Sequence, residues 1–316
     1  MFFNMSVAKN SFIIFFTLVV ACGESPKKGD IIDKNPLSEL EGFWNRIGTI
    51  QTVNGVPVDT VYLSESDTPD LIQIKVFYDG NLTWINNDYN SSLPWKGGNG
   101  MYGKYQLLSK DSILEKISHG TGLMAEWIKS YKDSLGIGAR PYKWGFSLPE
   151  ESKLLYFVEP NSDLAVETDY AELWEKMPDA SPQSKADGVW KRVYEIQYVN
   201  GIPVDTVSVP SDGTLDVHFR KNGRFIYQVD NTGLSEPGEG LFYGYGGYGQ
   251  FEFVDENKII EYHEFVSGRT DSVIQSPPKT GGQAIELEFY NDDLFKQVQL
   301  DSVGVKLRGV VYERVQ

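Results

Sequence analysis

The chain repeats a short stretch of sequence 146 positions apart: Val53-Asn-Gly-Val-Pro-Val-Asp-Thr-Val61 returns as Val199-Asn-Gly-Ile-Pro-Val-Asp-Thr-Val207. Over the wider windows 42–61 and 188–207, 13 of 20 residues are identical. Each copy is long enough to form a domain. We therefore divide the chain into repeat 1, residues 39–178, and repeat 2, residues 187–316, joined by a Pro- and Ser-rich linker, residues 179–186.

Both copies carry the signals of β-hairpins. Asn54-Gly55 and Asn200-Gly201 separate two apolar runs and supply the two positive-φ residues of a type I′ turn. Pro57 cannot donate to a sheet, so its strand is predicted at an edge or beside a bulge. Further turns follow at Asp79-Gly80 and Asn222-Gly223. Many short strands without a βαβ rhythm predict an all-β fold, an antiparallel barrel or sandwich in each repeat.

Repeat 1 contains one amphipathic helix that repeat 2 lacks. Its apolar residues recur at helical spacing with Lys and Asp between them: Leu123, Met124, Trp127, Ile128, Tyr131 and Leu135. The pattern predicts one short helix inserted in the first barrel. Such a helix either plugs a barrel end or covers a binding cavity.

The N-terminus has the features of an export signal. An apolar run, residues 12–21, follows Lys9 and ends at Cys22, the single cysteine of the chain. The run is too short to span a bilayer as a helix, and its end resembles the bacterial lipobox, in which the cysteine is acylated after cleavage. This predicts a signal peptide over residues 1–21 and a lipidated tether over residues 22–38. An ordinary signal peptide that happens to contain a cysteine is the alternative.

The N-terminal segment also predicts where the protein is located. Two acyl chains, palmitate among the usual ones, give stable membrane anchoring. Gly23 follows the cysteine where the best-known inner-membrane retention signal has Asp, so we expect an outer-membrane or cell-surface lipoprotein.

The formal net charge of −15 repels nucleic acid, which excludes nucleic acid as an expected partner. The sequence does not identify a protein partner.

Three motifs resemble the lipocalin-like domains of Bacteroidetes lipoproteins. They are the opening Gly-x-Trp (residues 42–44 and 188–190), a glycine-aromatic strand, and a closing aromatic-Glu-base (residues 174–176 and 312–314). The resemblance covers nearly all of both repeats and implies two tandem antiparallel β-barrels of the lipocalin (calycin) type. It also implies that a basic side chain closes each barrel over the tryptophan, Lys176 over Trp44 and Arg314 over Trp190. One departure is the tight Asn-Gly hairpin, where lipocalins have a long loop.

The residues that could carry catalysis are sparse. The three histidines, His119, His218 and His263, lie in no metal spacing, and no motif marks a serine or cysteine nucleophile. Acidic pairs such as Glu261/Glu264 and Asp292/Asp293 could serve a glycosidase, but 44 acidic residues produce such pairs by chance. We therefore expect no enzyme, no cofactor and no metal, with an envelope hydrolase using a carboxylate pair as the alternative.

An aromatic-glycine run in repeat 2 is the candidate ligand site. Its residues are Phe242, Tyr243, Tyr245 and Tyr248. Tyrosine rings can stack on a sugar or line an apolar cavity, whereas the alternative is a barrel-corner strand whose rings fill the core. We expect binding of a small apolar or glycan ligand, or scaffolding of an envelope complex. A purely structural spacer with filled barrels is the other alternative.

A recurring triplet marks possible modification sites. Asp-Ser/Thr followed by an aliphatic residue resembles the O-glycosylation acceptor of exported Bacteroidetes proteins and occurs six times in the chain. A bulky surface glycan would be the consequence. The alternative is that the triplet is simply a good turn-to-strand sequence. The candidate acceptors are Thr60, Ser112, Ser134, Thr206, Ser272 and Ser302.

Overall fold

A computed structural model describes the protein over residues 36–53, 56–65, 71–86, 100–121, 124–125, 128, 130–131, 139–150, 152–158, 169–209, 215–230, 244–267 and 282–316. Cys22 and the whole of segment 1–35 lie outside these residues. Most of the described residues lie in β-strands, which confirms the predicted all-β class. No helix among the described residues is long and apolar enough to cross a lipid bilayer.

The described residues from the end of the tether through repeat 1 include a short helix, one 3-10 turn and nine strands. Helix α1 is Pro36–Leu40, and the 3-10 turn is Leu63–Glu65. The strands are β1 Gly42–Val53, β2 Val56–Tyr62, β3 Gln73–Tyr78, β4 Asn81–Asn86, β5 Gly100–Ser109, β6 Ser112–Thr121, β7 Arg140–Glu150, β8 Lys153–Val158 and β9 Asp169–Lys176.

The described residues of repeat 2 form nine further strands, which pair in the same order as those of repeat 1. They are β10 Gly188–Val199, β11 Ile202–Ser208, β12 Leu215–Lys221, β13 Arg224–Asp230, β14 Tyr245–Asp255, β15 Lys258–Ser267, β16 Gln283–Asn291, β17 Leu294–Leu300 and β18 Lys306–Arg314. The Asn200-Gly201 and Asn222-Gly223 turns have positive φ at both residues, as predicted for type I′ turns.

Strands of repeat 2 close into an antiparallel barrel. The sheet order is β11-β10-β12-β13-β14-β15-β16-β17-β18, and β18 also pairs with β10. Eight strands, β10 and β12 to β18, therefore form a closed ring. Strand β11 pairs only with β10 and is an edge. The sheet of repeat 1 has the same order, and β1 pairs with β9 over Trp44–Thr52.

The predicted edge position of the Pro57 strand is confirmed. Strand β2 pairs only with β1 and stands first in its sheet. The register shifts between Gln51 and Thr52, opposite Asp59 and Pro57. A proline without an N–H is tolerated at such an edge beside a bulge.

Helical residues also occur where the inserted helix was predicted. Met124, Ala125, Ile128, Ser130 and Tyr131 are helical among the described residues. Ile128 is 2% exposed and packs in one hydrophobic cluster with Ile117 and Trp174. Its contacts are those of a helix that fills the interior of repeat 1.

The two repeats share a hydrophobic core. Phe43, Ile74, Val76, Ile85 and Tyr102 of repeat 1 form one buried cluster with residues of repeat 2. The repeat 2 members are Val189, Leu215, Val217, Phe219, Ile226, Tyr248 and Phe265. These apolar residues lie on the outer faces of their sheets, so each sheet has one face toward its own interior and one face partly toward the other repeat.

A buried polar contact lies within this shared core. Gln228 is 2% exposed, and its Nε2 donates to the main-chain oxygen of Trp84 at 3.1 Å. The hydroxyl of Thr121 donates to Oε1 of the same Gln228 at 3.2 Å. Buried polar groups are usually hydrogen-bonded, and here each repeat satisfies groups of the other.

Candidate functional site

The interior of the repeat 2 barrel contains a cavity of about 380 Å³. Fourteen residues from seven strands line it: Asp216, His218, Tyr227, Val229, Tyr245, Glu261, His263, Val266, Gln283, Gln297, Gln299, Arg308, Val310 and Tyr312. Alternate residues of a strand point to the same side, which is why residues two positions apart on β12, β13, β15, β17 and β18 meet here. Most of the lining residues are polar, an unusual composition for the inside of a barrel.

One polar group of the wall is built around His218. Its Nε2 lies 3.0 Å from Oδ1 of Asp216 and 3.0 Å from the hydroxyl of Tyr312. Arg192 approaches the other oxygen of Asp216 at 3.1 Å. Burial raises the pKa of Tyr312 well above its ordinary value, and the nearby Asp216 raises it further. Tyr312 therefore stays a neutral hydroxyl at physiological pH.

A buried arginine contacts two residues of the cavity lining. Arg220 is 0% exposed, and its Nη2 donates to Glu261 Oε1 and to Gln297 Oε1, both at 2.6 Å. The guanidinium lies 5.7 Å from the ring centres of both Phe251 and Phe295. These contacts hold Glu261 and Gln297 in place at the wall of the cavity.

Arg308 of the cavity lining belongs to a third ion pair. Arg308 donates to Oε2 of Glu195 at 2.5 Å, and this hydrogen bond raises the pKa of Arg308. Arg192 lies 3.4 Å from the same oxygen of Glu195. Positive and negative side chains therefore alternate around this wall at hydrogen-bonding distance.

The residues of the predicted aromatic site separate in the structure. Tyr245 lines the cavity, with its ring 6.1 Å from that of Tyr227 in an edge-to-face arrangement. Tyr248 is 1% exposed in the core shared by the repeats, and its hydroxyl accepts a hydrogen bond from Arg224 at 2.5 Å. Phe242 and Tyr243 lie outside the described residues. Positions 245 and 248 differ by an odd number, so they face opposite sides of strand β14.

Each Gly-x-Trp tryptophan lies beneath a basic side chain. The Arg314 guanidinium is 4.1 Å from the ring centre of Trp190, and Lys176 Nζ is 5.2 Å from that of Trp44. Both indole nitrogens donate to the main-chain oxygen four residues earlier, on Ala186 and Leu40 respectively. Both tryptophans are fully buried, as expected for structural contacts.

The triplet acceptors differ in accessibility. Thr60, Thr206 and Ser302 are exposed, Ser112 is half-buried, and Ser134 and Ser272 lie outside the described residues. Asp59 and Asp205 each accept a hydrogen bond at 2.8 Å from the backbone N–H of the following threonine. The same local geometry therefore recurs in both repeats.

The acidic pairs considered from the sequence do not meet in the cavity. Glu261 lines it, whereas Glu264 accepts a hydrogen bond from Gln250 at 2.7 Å. Asp292 and Asp293 lie at a turn beside Arg314. Among the described residues no group of three or more His, Cys, Asp or Glu side chains is arranged to hold a metal ion.

Sequence reasoning missed the polar interior of repeat 2. Leu215-Asp-Val-His-Phe219 alternates apolar and polar residues, which predicts two faces of a strand. The apolar face packs against repeat 1, and Asp216, His218 and Arg220 point into the barrel. The signal was the presence of three ionisable residues on one face of a single strand.

Comparison with known proteins identifies no family. No protein-family model and no curated protein sequence matches the chain. A similar solved structure is a DUF3598-family protein of unknown function from Nostoc punctiforme PCC 73102, at 11% identity. The match covers 89% of this chain and 98% of that one, with a TM-score of 0.22.

Proposed function

We propose that the chain is an exported, lipid-anchored envelope protein whose second repeat binds a small polar ligand in its interior. The supporting observation is the cavity of about 380 Å³ with its polar lining. Ligand pockets of roughly 300–1,000 Å³ with a few convergent polar groups are typical binding sites. Of the ligand classes expected from the sequence, the glycan class fits this lining better than the apolar class.

The assignment of both sheets as barrels is part of the same proposal. We take the two sheets to be tandem lipocalin-like barrels, because the sheet of repeat 1 has the strand order of repeat 2 and the corresponding β1–β9 pairing. The basic residue over each Gly-x-Trp tryptophan also supports this assignment.

In this proposal repeat 1 has a structural role. The register places Lys75, Phe77 and Trp84 where repeat 2 has His218, Arg220 and Tyr227. Trp174 likewise corresponds to Tyr312. Phe77, Trp84 and Trp174 pack into one cluster with Ile113, Leu154 and other apolar side chains, which supports a filled interior and a scaffolding role.

The anchor is proposed at Cys22, after removal of the signal peptide. Acylation would attach the chain to the outer membrane or the cell surface, with Thr60, Thr206 and Ser302 available for glycosylation. Replacing Cys22 with serine is expected to move the protein from the membrane fraction to the soluble fraction and to abolish incorporation of labelled palmitate. Retention of Cys22→Ser in the membrane would contradict this part of the proposal.

We propose no catalytic role for the cavity. One observation favours the hydrolase alternative, because Asp216 and Glu261 line the same cavity. Each of them is already engaged by an arginine, Arg192 and Arg220 respectively. Release of sugar from a chromogenic glycoside panel, lost in Glu261→Gln, would support the hydrolase instead.

Methyl NMR tests the binding proposal directly. Valine methyl groups of the full chain are labelled with ¹³C, and a small-molecule extract of the host envelope is added. Val229, Val266 and Val310 line the cavity, whereas Val58 is 57% exposed on β2. We expect the three cavity methyl groups to shift and Val58 to stay unchanged. Shifts confined to surface valines would contradict the proposal.

A further inference from the structure

The charged groups that line the cavity are already compensated by neighbouring charges. Asp216 lies 3.1 Å from Arg192, Glu261 lies 2.6 Å from Arg220, and Arg308 lies 2.5 Å from Glu195. Three positive and three negative side chains therefore balance. An ionic ligand would bring a further charge into this partly buried site, where Asp216, Glu261 and Arg308 each already have an oppositely charged partner.

Hydrogen-bonding capacity nonetheless remains. A carboxylate has about four acceptor positions, and one arginine contact leaves some of them for other donors. Gln283, Gln297 and Gln299 add amide groups on two neighbouring strands, β16 and β17. A ligand that both donates and accepts many hydrogen bonds without carrying charge fits this combination.

Aromatic side chains of the cavity can supply the apolar contacts that sugar recognition also uses. The C–H face of a sugar ring packs on an aromatic ring, and its hydroxyl groups bond to side chains around the edge. Tyr227 is stacked on His218 at 5.2 Å, so one of its faces is covered. Tyr245 meets Tyr227 edge-to-face and lines the cavity from β14.

We propose that the ligand of the repeat 2 cavity is an uncharged sugar, with its ring against Tyr245 and its hydroxyl groups donating to Asp216 and Glu261. This inference rests on the proposed function, because it assumes that the cavity is the ligand site. It goes further by excluding sugar acids, amino sugars and fatty acids as the preferred ligands.

Isothermal titration calorimetry with matched sugars tests the inference on the full chain in mild detergent. Glucose, galactose and mannose are each titrated beside the corresponding uronic acid and the corresponding amino sugar, and dodecanoate is included as an apolar probe. We expect at least one neutral sugar to bind at least ten times more tightly than both of its charged counterparts and than dodecanoate.

Variants connect that binding to the cavity. Tyr245→Ala and Asp216→Asn are expected to weaken binding of the neutral sugar at least tenfold. Tyr290→Ala removes a tyrosine that is 49% exposed outside the cavity, so it is the matched control and should leave binding unchanged.

The outcomes separate this inference from the proposed function. Tighter binding of a charged sugar or of dodecanoate, or binding of no sugar in the panel, overturns the inference. The valine methyl groups would still shift with the host extract in those cases if the cavity binds another small ligand. Absence of both responses would reject the inference and the proposed function together.

Discussion

Lys75 and His218 occupy the same position in the two repeats, because Lys75 lies opposite Trp44 and His218 lies opposite Trp190 in the strand register. Lys75 lies 3.7 Å from Glu115 and 5.1 Å from the ring centre of Trp174. His218 instead contacts the smaller Tyr312 and faces a cavity. The duplicated interior has therefore diverged, with bulky packing in repeat 1 and open polar space in repeat 2.

Arg220 and Glu261 form a buried ion pair, so we expect their effects on the free energy of unfolding to depend on each other. Arg220→Met is expected to lower the free energy of unfolding by about 3–5 kcal/mol, because Glu261 is left buried without its cation. The double variant Arg220→Met/Glu261→Leu should recover much of that loss. Urea unfolding followed by circular dichroism measures both effects.

Lys306→Ala is the matched control for the buried pair. Lys306 and Glu286 form an ion pair with side chains 34% and 37% exposed, so its loss should cost no more than about 1 kcal/mol. An equal cost for Arg220→Met and Lys306→Ala would show that the interior pair does not support the barrel.

The contact between the repeats should make them unfold together. Gln228→Leu removes the hydrogen bonds that Gln228 makes with the Trp84 carbonyl and the Thr121 hydroxyl in the shared core. We expect a loss of about 1–3 kcal/mol. Gln250→Leu, at a half-exposed position of β14, is the control and should cost less. Calorimetry should show one transition for the wild type. Two separate transitions would mean that the repeats are independent.

The strands and turns could be predicted from the sequence. What each face of a strand packs against could not. Asn200-Gly201 and Pro57 predicted a tight turn and an edge strand from backbone chemistry alone, and both are present. Alternation in β12 predicted two faces. Both faces are buried, one against repeat 1 and one inside the barrel, and local sequence does not distinguish these environments.

The candidate site was only partly predictable for a related reason. Tyr245 was selected with Tyr248 because both belong to one aromatic run, but the alternation of a strand sends them to opposite sides. Glycines in this run have a structural use, since a Cβ on Gly249 would collide with the main-chain oxygen of Tyr262 at a bulge. The cavity itself depends on residues from seven strands, which no local pattern brings together.

The basic side chains over Trp190 and Trp44 should contribute unequally to stability. Arg314 packs 4.1 Å from the Trp190 ring and donates to the main-chain oxygens of Asp187 and Asp292. We expect Arg314→Gln to cost about 1–2 kcal/mol. Lys176 is 5.2 Å from Trp44 and donates to one main-chain oxygen, that of Glu39, so Lys176→Gln should cost less. Thermal unfolding compares them, and the reverse order would be inconsistent with the geometry.

Alkaline pH should destabilise the core between the repeats. Burial raises the pKa of Tyr102 from 10.0 to about 12, and its ring packs edge-on against Phe219 of the other repeat. Between these two pH values the unfolded chain releases this proton and the folded chain retains it. The stabilisation is therefore complete below pH 10 and is lost as the pH rises toward 12.

Unfolding titrations between pH 9 and 12 measure this effect, because one such proton contributes about 1.4 kcal/mol per pH unit. Tyr102→Phe should flatten the pH dependence of the free energy of unfolding by up to that slope. Tyr194→Phe, at a tyrosine that is 46% exposed, is the matched control for the loss of a tyrosine hydroxyl group. Equal slopes for the wild type and Tyr102→Phe would contradict the assignment.

Native mass spectrometry of the protein purified gently from its own host tests the central claim most directly. The wild type is compared with Val310→Phe, which places a larger side chain in the cavity, and with Val58→Phe on the exposed edge strand. We predict a discrete, dissociable small-molecule mass, beyond any acyl anchor and glycan, on the wild type and Val58→Phe but not on Val310→Phe. A wild-type protein with no bound mass, or a bound mass that Val310→Phe retains, would contradict ligand binding in this cavity.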